Sequence, residues 1–166
     1  MIKTYTSINE TGCCPKPNIE GWDGAEIVWE GKKFIKDSTI NFLHIPLNMK
    51  QVINRTWKKI KEAEAAPSDE EWMMLSYEPS LWKSEHYFLV TKEVAGADNV
   101  TISGTFLTKV FEGPYKEAGK WVKEMDQYVK EQVKTVKKLY FFYTTCPKCA
   151  KHYGKNYTVA FAQISK

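Results

Sequence analysis

"FLTKVFEGPYKEAGKWVKEM", residues 106–125, passes from a strand pattern into a helix pattern at a glycine and a proline. The apolar residues of its first part are typical of a β-strand, and Pro114 stands at the favoured first turn of the helix that follows. Within that helix Trp121, Val122 and Met125 recur at helical spacing and predict its inner face. The stretch therefore predicts a strand that leads directly into an amphipathic helix.

The same order of elements occurs twice along the chain. A β-rich run precedes residues 49–65, whose apolar side chains recur at helical spacing with lysine and glutamate opposite. Each of the two helices is followed by a pair of strand patterns, at 70–80 and 84–94 for the first helix and at 137–145 and 157–165 for the second. The chain therefore predicts two strand-helix-strand-strand repeats at a period of about 64 residues.

These repeats define the expected fold. We expect an α+β fold in which two pseudo-symmetric strand-helix-strand-strand repeats form one antiparallel sheet with two helices and a central cleft, the default ligand site. The expected boundaries are 34–97 for the first repeat and 98–166 for the second, so that 34–166 is one domain. Residues 1–33 are expected to form an irregular arm and the start of a hairpin that turns near Gly31.

Composition argues against several classes of function. The chain of 166 residues is 43% apolar and 27% charged, which is typical of a globular protein, and its 14% of aromatic residues suits an aromatic-lined pocket. The net charge of +4 is carried mostly by lysine, and Arg55 is the one arginine, so no nucleic-acid partner is expected. No apolar run approaches the roughly 20 residues of a membrane span, and no signal sequence is evident. We therefore expect a cytoplasmic protein without a membrane partner.

Two motifs of the second repeat resemble those of GyrI-like proteins, the fold of the effector-binding domains of multidrug-sensing transcription activators. Residues 106–125 resemble that family's strand, glycine, tyrosine and helix pattern. "LYFFYTTCP", residues 139–147, resembles its later strand, in which an aromatic residue precedes a turn proline by four positions, here Tyr143 and Pro147. The resemblance covers residues 34–166, and the first repeat matches in the order of elements more than in residues.

The resemblance implies a function for the chain. No helix-turn-helix pattern precedes the domain, so the chain resembles the stand-alone members, which bind hydrophobic or aromatic small molecules. Some of them hydrolyse the strained cyclopropane of alkylating natural products, a detoxification. The drug-binding members usually carry a glutamate two residues before the strand tyrosine, whereas this chain has Phe141 there. The resemblance also favours Tyr143 and Phe141 as the pair that faces the cleft, and Tyr140 and Phe142 as the pair that faces the helices.

Hydrolysis of an electrophile requires a carboxylate that activates water, a proton donor and an apolar enclosure. Glu78 and Glu112, both at strand ends, are the candidate bases, and Tyr143 is the candidate donor. Each glutamate also has a simpler interpretation, as a solvated turn residue or as a carboxylate that complements a helix dipole. The candidate ligand-binding residues share aromatic rings, and they are Trp82, Tyr77, Tyr115, Phe141 and His44.

The four cysteines leave three interpretations open. Cys146 and Cys149 form a C-x-x-C pair, followed by His152, and a second pair, Cys13 and Cys14, stands far upstream. Cys146, Cys149 and His152 could supply three zinc ligands with Cys13 or Cys14 as the fourth, although adjacent cysteines rarely both bind one metal. The thiols could instead form a redox or disulfide centre, or could be plain loop thiols. A redox C-x-x-C normally opens a helix, whereas this one is expected in a loop between two strands. We therefore expect no cofactor, with zinc allowed at the cysteines.

Three other functions stay open from the sequence. A non-catalytic regulatory module would bind its ligand without turnover, a haem-binding relative of the same architecture would show a Soret band, and a zinc-stabilised interaction protein would unfold on chelation. The aromatic arm is also compatible with a homodimer.

Overall fold

A computed structural model describes residues 2–165, in which seven strands and four α-helices follow one another along the chain. The strands are β1 (Glu26–Phe42), β2 (Ile45–Pro46), β3 (Met74–Ser80), β4 (Lys83–Leu89), β5 (Asp98–Glu112), β6 (Thr135–Tyr143) and β7 (Tyr157–Ser165). The helices are α1 (Ile19–Trp22), α2 (Met49–Glu62), α3 (Ala118–Glu131) and α4 (Pro147–Tyr153), with a 3-10 turn at Tyr115–Glu117 before α3. The strand ladders within each unit described below are antiparallel, so the expected α+β class is confirmed.

The chain divides into two compact units. The first, here the arm unit, takes the chain up to Trp29, the segment Asp69–Glu71 and the chain from Gly104 onward. The second, here the hairpin unit, takes Glu30–Ser68 and Trp72–Ser103. The domain boundaries expected from the sequence, and the cleft between the repeats, stay predictions.

In the hairpin unit the strands lie in the order β2-β1-β4-β3. Helix α2 forms because its apolar residues recur every three to four positions, and it packs Val52 and Ile60 against Ile35 and Phe88 of the sheet. Lys59 and Lys61 in its last turn complement the negative end of the helix dipole. Burying this one apolar face holds the helix on the sheet.

In the arm unit the strands lie in the order β6-β7-β5. Helix α3 covers one face of these strands, where Trp121, Met125 and Val129 are buried. The opposite face is covered by the N-terminal arm, since the ring of Tyr5 packs edge-on against Phe142 and that of Trp22 against Phe161. The arm is therefore part of the core of this unit.

The hairpin expected near Gly31 is wrong. The 17 residues of β1 run straight through that position, and the strand pairs with β4 from Phe34 to Ile40. Gly31 has a φ of +61°, and its N–H donates to Ser103 Oγ at 2.8 Å. Glycine adopts a positive φ at little cost, so here it marks a local irregularity in a strand and not a reversal of the chain.

No helix among residues 2–165 is both long and apolar enough to cross a membrane.

Candidate functional site

A two-residue turn places the first polar side chain of the site. Leu43 and His44 join β1 to β2 with φ values of +46° and +71°, so the turn has the two positive φ angles of a tight type I′ hairpin turn. Such turns favour asparagine and glycine, because a side chain at positive φ is strained. The backbone N–H of His44 donates to the carbonyl of Leu81 at 3.0 Å, which ties the turn to the β3–β4 hairpin.

At this turn an imidazole meets a carboxylate. His44 Nδ1 lies 2.6 Å from Glu78 Oε1, and Asn41 Nδ2 donates to the same oxygen at 3.3 Å. Asn41 is buried and also donates to Ser84 Oγ at 2.5 Å, whereas the side chains of Glu78 and His44 are 39% and 57% exposed. The carboxylate is therefore oriented by a buried amide and by an imidazole while its surroundings stay open to solvent.

A buried polar network continues behind Asn41. Thr39 Oγ1 donates to Asn41 Oδ1 at 3.0 Å and lies 3.1 Å from His86 Nε2, and Ser76 Oγ lies 2.9 Å from His86 Nδ1. Burial lowers the pKa of His86 to about 4, so its imidazole is neutral at pH 7. Both ring nitrogens of His86 are occupied by hydroxyls, so this histidine supports the network and is not itself a proton acceptor for a ligand.

Large apolar side chains are exposed on the strands and turns next to the pair in the chain. We call this set the apolar rim, and it consists of Ile40, Phe42, Leu43, Ile45, Leu47, Leu81 and Trp82. The rings of Phe42 and Trp82 lie 5.9 Å apart at 60°. The carbonyl of Trp82 accepts the backbone N–H of Asn41 at 2.7 Å, which fixes the rim beside the carboxylate. A cluster of exposed apolar side chains around oriented polar groups is the composition of a small-molecule site.

The structure thus brings together three of the residues that the sequence singled out, namely Glu78, His44 and Trp82. Tyr77, the fourth candidate of this unit, is half-buried on β3 directly before Glu78. The sequence reasoning missed Asn41, Ser84 and His86. A signal was available for two of them, because Ser84 and His86 stand at alternate positions of β4 and so share one face.

The arm unit holds the aromatic candidates. The rings of Tyr115 and Tyr143 meet edge-on at 4.9 Å, and Phe141 stacks on Tyr143 at 6.2 Å. The Tyr115 hydroxyl donates to the carbonyl of Thr145 at 3.1 Å, and burial raises the pKa of Tyr115. These rings form a cluster beside the start of α3.

The predicted facing of β6 is wrong. Phe141 and Tyr143 pack on the side of α3, where the ring of Phe141 lies 6.4 Å from that of Trp121. Tyr140 and Phe142 are the pair on the other face, against Phe106 and Tyr5. The alternation along the strand was correct, but only packing decides which face receives the helix and which the arm.

Glu112 has a simpler environment than Glu78. It ends β5, and its carboxylate lies 3.8 Å from Lys155 Nζ, with both side chains more than half exposed. An ion pair of this kind is screened by solvent and contributes little to stability. Its role as a base stays a prediction, and among residues 2–165 Glu112 is paired with a lysine, whereas Asn41 and His44 orient Glu78.

The four cysteines converge in the arm unit. Their sulfur atoms all lie within 4.8 Å of one another, so Cys13, Cys14, Cys146 and Cys149 could hold a metal ion. His152 is directed elsewhere, with Nε2 3.4 Å from Glu10.

The C-x-x-C pair does open a helix, contrary to the sequence expectation. Cys146 is the residue before α4, and Pro147 begins that helix. Proline fits the first turn of a helix because a backbone N–H at that position would have no hydrogen-bond partner within the helix. Burial raises the pKa of the Cys149 thiol, but hydrogen bonds from Thr11 and from the neighbouring cysteines outweigh that effect and bring the pKa to about 7.

Comparisons with known proteins agree with this architecture. A family described as bacterial hydrolase matches residues 4–164. No curated protein matches the chain in sequence.

Solved structures share the fold at low identity. The C-terminal domain of EcmrR is 11% identical with a TM-score of 0.67, covering 87% of this chain and 98% of its own. A hydrolase from Listeria innocua is 12% identical with a TM-score of 0.58, covering 86% and 92%. SAV2435, bound to tetraphenylphosphonium, is 15% identical with a TM-score of 0.50, covering 86% and 94%. The GyrI-like resemblance is confirmed.

Proposed function

Because the chain belongs to the family of bacterial hydrolases, with a GyrI-like fold, we propose that it binds a hydrophobic or aromatic small molecule and hydrolyses it. The substrate class is an electrophile with a strained ring of the cyclopropane type, and the consequence is detoxification. The observation that carries the proposal is the 2.6 Å contact between Glu78 and His44, on a unit that also carries the exposed residues of the apolar rim.

The pair has the geometry of a proton acceptor. If His44 donates its Nδ1 proton to Glu78 Oε1, its Nε2 lone pair is left to accept a proton from water, and the carboxylate stabilises the imidazolium that forms. Glu78 Oε2 offers a second, direct route for the same proton. Either way the proton of the attacking water ends on the Glu78–His44 pair, and Glu78 keeps the role of base that the sequence suggested.

The reaction follows from adding water to a strained ring. The water oxygen forms a bond to a ring carbon, and the weakest carbon–carbon bond of the ring breaks. Its electron pair moves to a conjugated carbonyl oxygen, which takes up a proton from a donor. In the hairpin unit, Tyr77 and Trp82 are the proposed aromatic contacts of the ligand. Tyr143 stays the predicted donor, and Tyr115 and Phe141 stay predicted ligand contacts.

The apolar rim supplies the binding energy in this proposal. Exposed side chains such as Phe42 and Trp82 gain roughly 25 cal/mol for each Å² of apolar surface that a ligand removes from water. A flat aromatic ligand suits such a surface because aromatic side chains lose little conformational entropy when a ligand stacks on them. The carboxylate adds orientation, since an electrophilic carbon must lie within reach of the activated water.

A second candidate is ligand binding without catalysis. It is favoured by the aromatic cluster of Tyr115, Phe141 and Tyr143, which has the composition of a recognition surface. Phe141 stands where drug-binding GyrI-like proteins usually carry a glutamate, so we expect neutral aromatic ligands to bind better than lipophilic cations.

Cytoplasmic location, homodimerisation and the lack of a nucleic-acid partner stay predictions. The four free thiols suit a reducing compartment such as the cytosol. Zinc has no place in the proposed reaction, because the candidate base and donor lie outside the thiol cluster. Its site would be the four cysteines.

Turnover of a strained-ring electrophile tests the proposal. The purified protein is incubated with a cyclopropane-bearing aromatic ketone, and the product is followed by mass spectrometry for the gain of one water. A saturable, protein-dependent increase is expected. Saturable binding measured by tryptophan fluorescence with no product would support the binding module instead and overturn the hydrolase proposal.

A further inference from the structure

The strongest unassigned feature of the described chain is the cluster of Cys13, Cys14, Cys146 and Cys149, because two distant segments bring four sulfur atoms within 4.8 Å of one another. We propose that the cluster is a mononuclear zinc site that fastens the N-terminal arm to helix α4. The proposal does not rest on the hydrolase activity.

The spacing of the sulfurs fits one tetrahedral ion. Four sulfurs at a zinc–sulfur distance of about 2.3 Å lie about 3.8 Å apart along each edge of the tetrahedron. The sulfurs of the adjacent pair, Cys13 and Cys14, are 3.7 Å apart. A cluster in which every pair lies within 4.8 Å needs only small side-chain movements to close on an ion. Neighbouring cysteines are thus compatible with one metal here, although their spacing in the sequence argued against it.

Hydrogen bonds within the arm define one side of the site. Thr11 Oγ1 accepts the backbone N–H groups of Cys13 and Cys14, each at 3.2 Å, and Asn9 Oδ1 accepts that of Gly12 at 2.8 Å. Gly12 has a φ of +70°, which a residue with a side chain would adopt under strain. This turn aims both thiols at one point.

The opposite side of the site is the start of α4. Cys146 is the residue before α4 and Cys149 lies in its first turn, so the two thiols stand at the same end of the helix. The Cys149 thiol donates to Thr11 Oγ1 at 3.3 Å, and the Thr11 hydroxyl donates to the carbonyl of Cys14 at 3.3 Å. Groups that orient ligand sulfurs in this way are typical of metal sites.

The two segments are also joined by contacts that place them in register. Tyr153 Oη donates to the carbonyl of Cys14 at 2.7 Å and accepts the backbone N–H of Glu10 at 3.2 Å. Tyr5 Oη donates to the carbonyl of Thr144 at 2.7 Å. Because these bonds cross from the arm to residues 144–153, an ion at the cysteines would reinforce a junction that already exists.

The ligand set selects the ion and its role. Four thiolates favour zinc among the divalent ions that occur in cells, and they leave no open position for water, which is the pattern of a structural site. The two positive charges of zinc would also offset the repulsion among four close thiolates. Through the segment that follows β6, the ion would fix the carbonyl of Thr145, to which Tyr115 donates at 3.1 Å.

The test measures metal in the full-length protein. The chain is expressed with zinc in the medium, purified without tag or chelator, and analysed by elemental analysis together with native and denaturing mass spectrometry. We expect one zinc ion per chain and four reduced cysteines. Replacement of zinc by cobalt(II) should give the intense sulfur-to-cobalt charge-transfer bands of a tetrathiolate site.

Variants distinguish loss of the zinc site from a general loss of stability. Cys14→Ser and Cys149→Ser should each lose most of the bound zinc and lower Tm by on the order of 10 °C. Lys148→Ser, on the exposed side of α4 between two of the ligands, should keep both zinc and Tm. If a cysteine variant fails to fold, the cobalt spectrum of the unmodified protein still shows whether four thiolates bind the ion.

Three results would overturn the proposal. One is a protein without metal that shows no cobalt charge-transfer bands. Another is a mass lower by the hydrogens of one or two disulfides, which would make the cluster a redox centre. The third is iron in stoichiometric amount, which would make zinc the wrong ion.

Discussion

His44 Nδ1 lies 2.6 Å from Glu78 Oε1, although 34 residues separate the two along the chain. The contact exists because β1 and β3 both pair with β4, so the turn after β1 and the end of β3 reach the same edge of the hairpin unit. A strained turn and an oriented carboxylate therefore meet at this edge. Strain of this kind persists where the surrounding structure imposes it, and it is frequent at functional sites.

The first prediction concerns the base. Glu78→Gln should lower turnover of a strained-ring electrophile at least about tenfold, equivalent to about 1.4 kcal/mol in the barrier, because the amide cannot accept the proton from water or stabilise an imidazolium. Initial rates by mass spectrometry and a thermal melt provide the measurement, and the fold should stay intact. Glu112→Gln is the matched control and should keep the rate. A loss with Glu112→Gln alone would assign the base to the other carboxylate.

The second prediction concerns the strained turn. Leu43→Asn should raise the free energy of unfolding by about 0.5–1 kcal/mol, because asparagine tolerates positive φ and the leucine side chain is already exposed. His44→Gly should stabilise the turn by a similar amount while it abolishes turnover. Urea unfolding measures the first effect and the rate assay the second. Equal stability of all three proteins would show that the turn stores no strain.

The third prediction is a pH dependence of stability that comes from His86. Its pKa is about 4 in the folded protein against 6.5 for an ordinary histidine, so between these values the unfolded chain binds the extra proton. The free energy of unfolding is therefore highest above pH 6.5. It falls by about 3 kcal/mol in total as the pH falls toward 4.

Urea unfolding at several pH values between 4.5 and 7 checks this expectation. His86→Gln should flatten the profile, because glutamine has no proton to gain in this range. His152→Gln, at an exposed position of α4, is the control and should leave the slope unchanged. A slope that survives His86→Gln would locate the responsible group elsewhere.

The fourth prediction concerns Asp37, which is held by four hydrogen bonds. Arg55 donates to its two carboxylate oxygens at 2.6 and 2.7 Å, Ser38 donates a backbone N–H at 2.8 Å and Thr56 a hydroxyl at 3.1 Å. Burial raises the pKa of Asp37, but these donors outweigh it and the pKa is lowered, so the carboxylate is charged at neutral pH.

Asp37→Ala should therefore cost about 2 kcal/mol of unfolding free energy, since it leaves partly buried donors without an acceptor. Asp98→Ala is the control, because the exposed Asp98 forms an ion pair with Lys36 at 3.6 Å, worth less than about 1 kcal/mol. Denaturant unfolding at pH 7 measures both. Similar costs for the two substitutions would mean that the bidentate Arg55 contact adds nothing.

Much of the fold could be predicted from local pattern. Helices α2 and α3 were evident from apolar spacing, since a helix that buries one face must repeat its apolar residues every three to four positions. Gly31 was misread, because glycine permits a turn without requiring one, and only the partner strand β4 shows that the chain continues. The helix after Cys146 was missed because a segment of seven residues carries too short a pattern.

The candidate site, like the fold, could be predicted only in part from the sequence. Glu78, His44 and the four cysteines were recognisable from the sequence as residue types with chemistry, because carboxylates, imidazoles and thiols ionise or bind metals wherever they stand. Their partners were not recognisable. That His44 meets Glu78, that Asn41 is buried behind them, and that Cys13 and Cys149 approach each other all depend on long-range pairing of strands and on the packing of the arm. Local sequence determined which groups are present and which segments are helix or strand, whereas the tertiary structure alone decided which groups meet, since contacts between distant residues arise only when the whole core is buried.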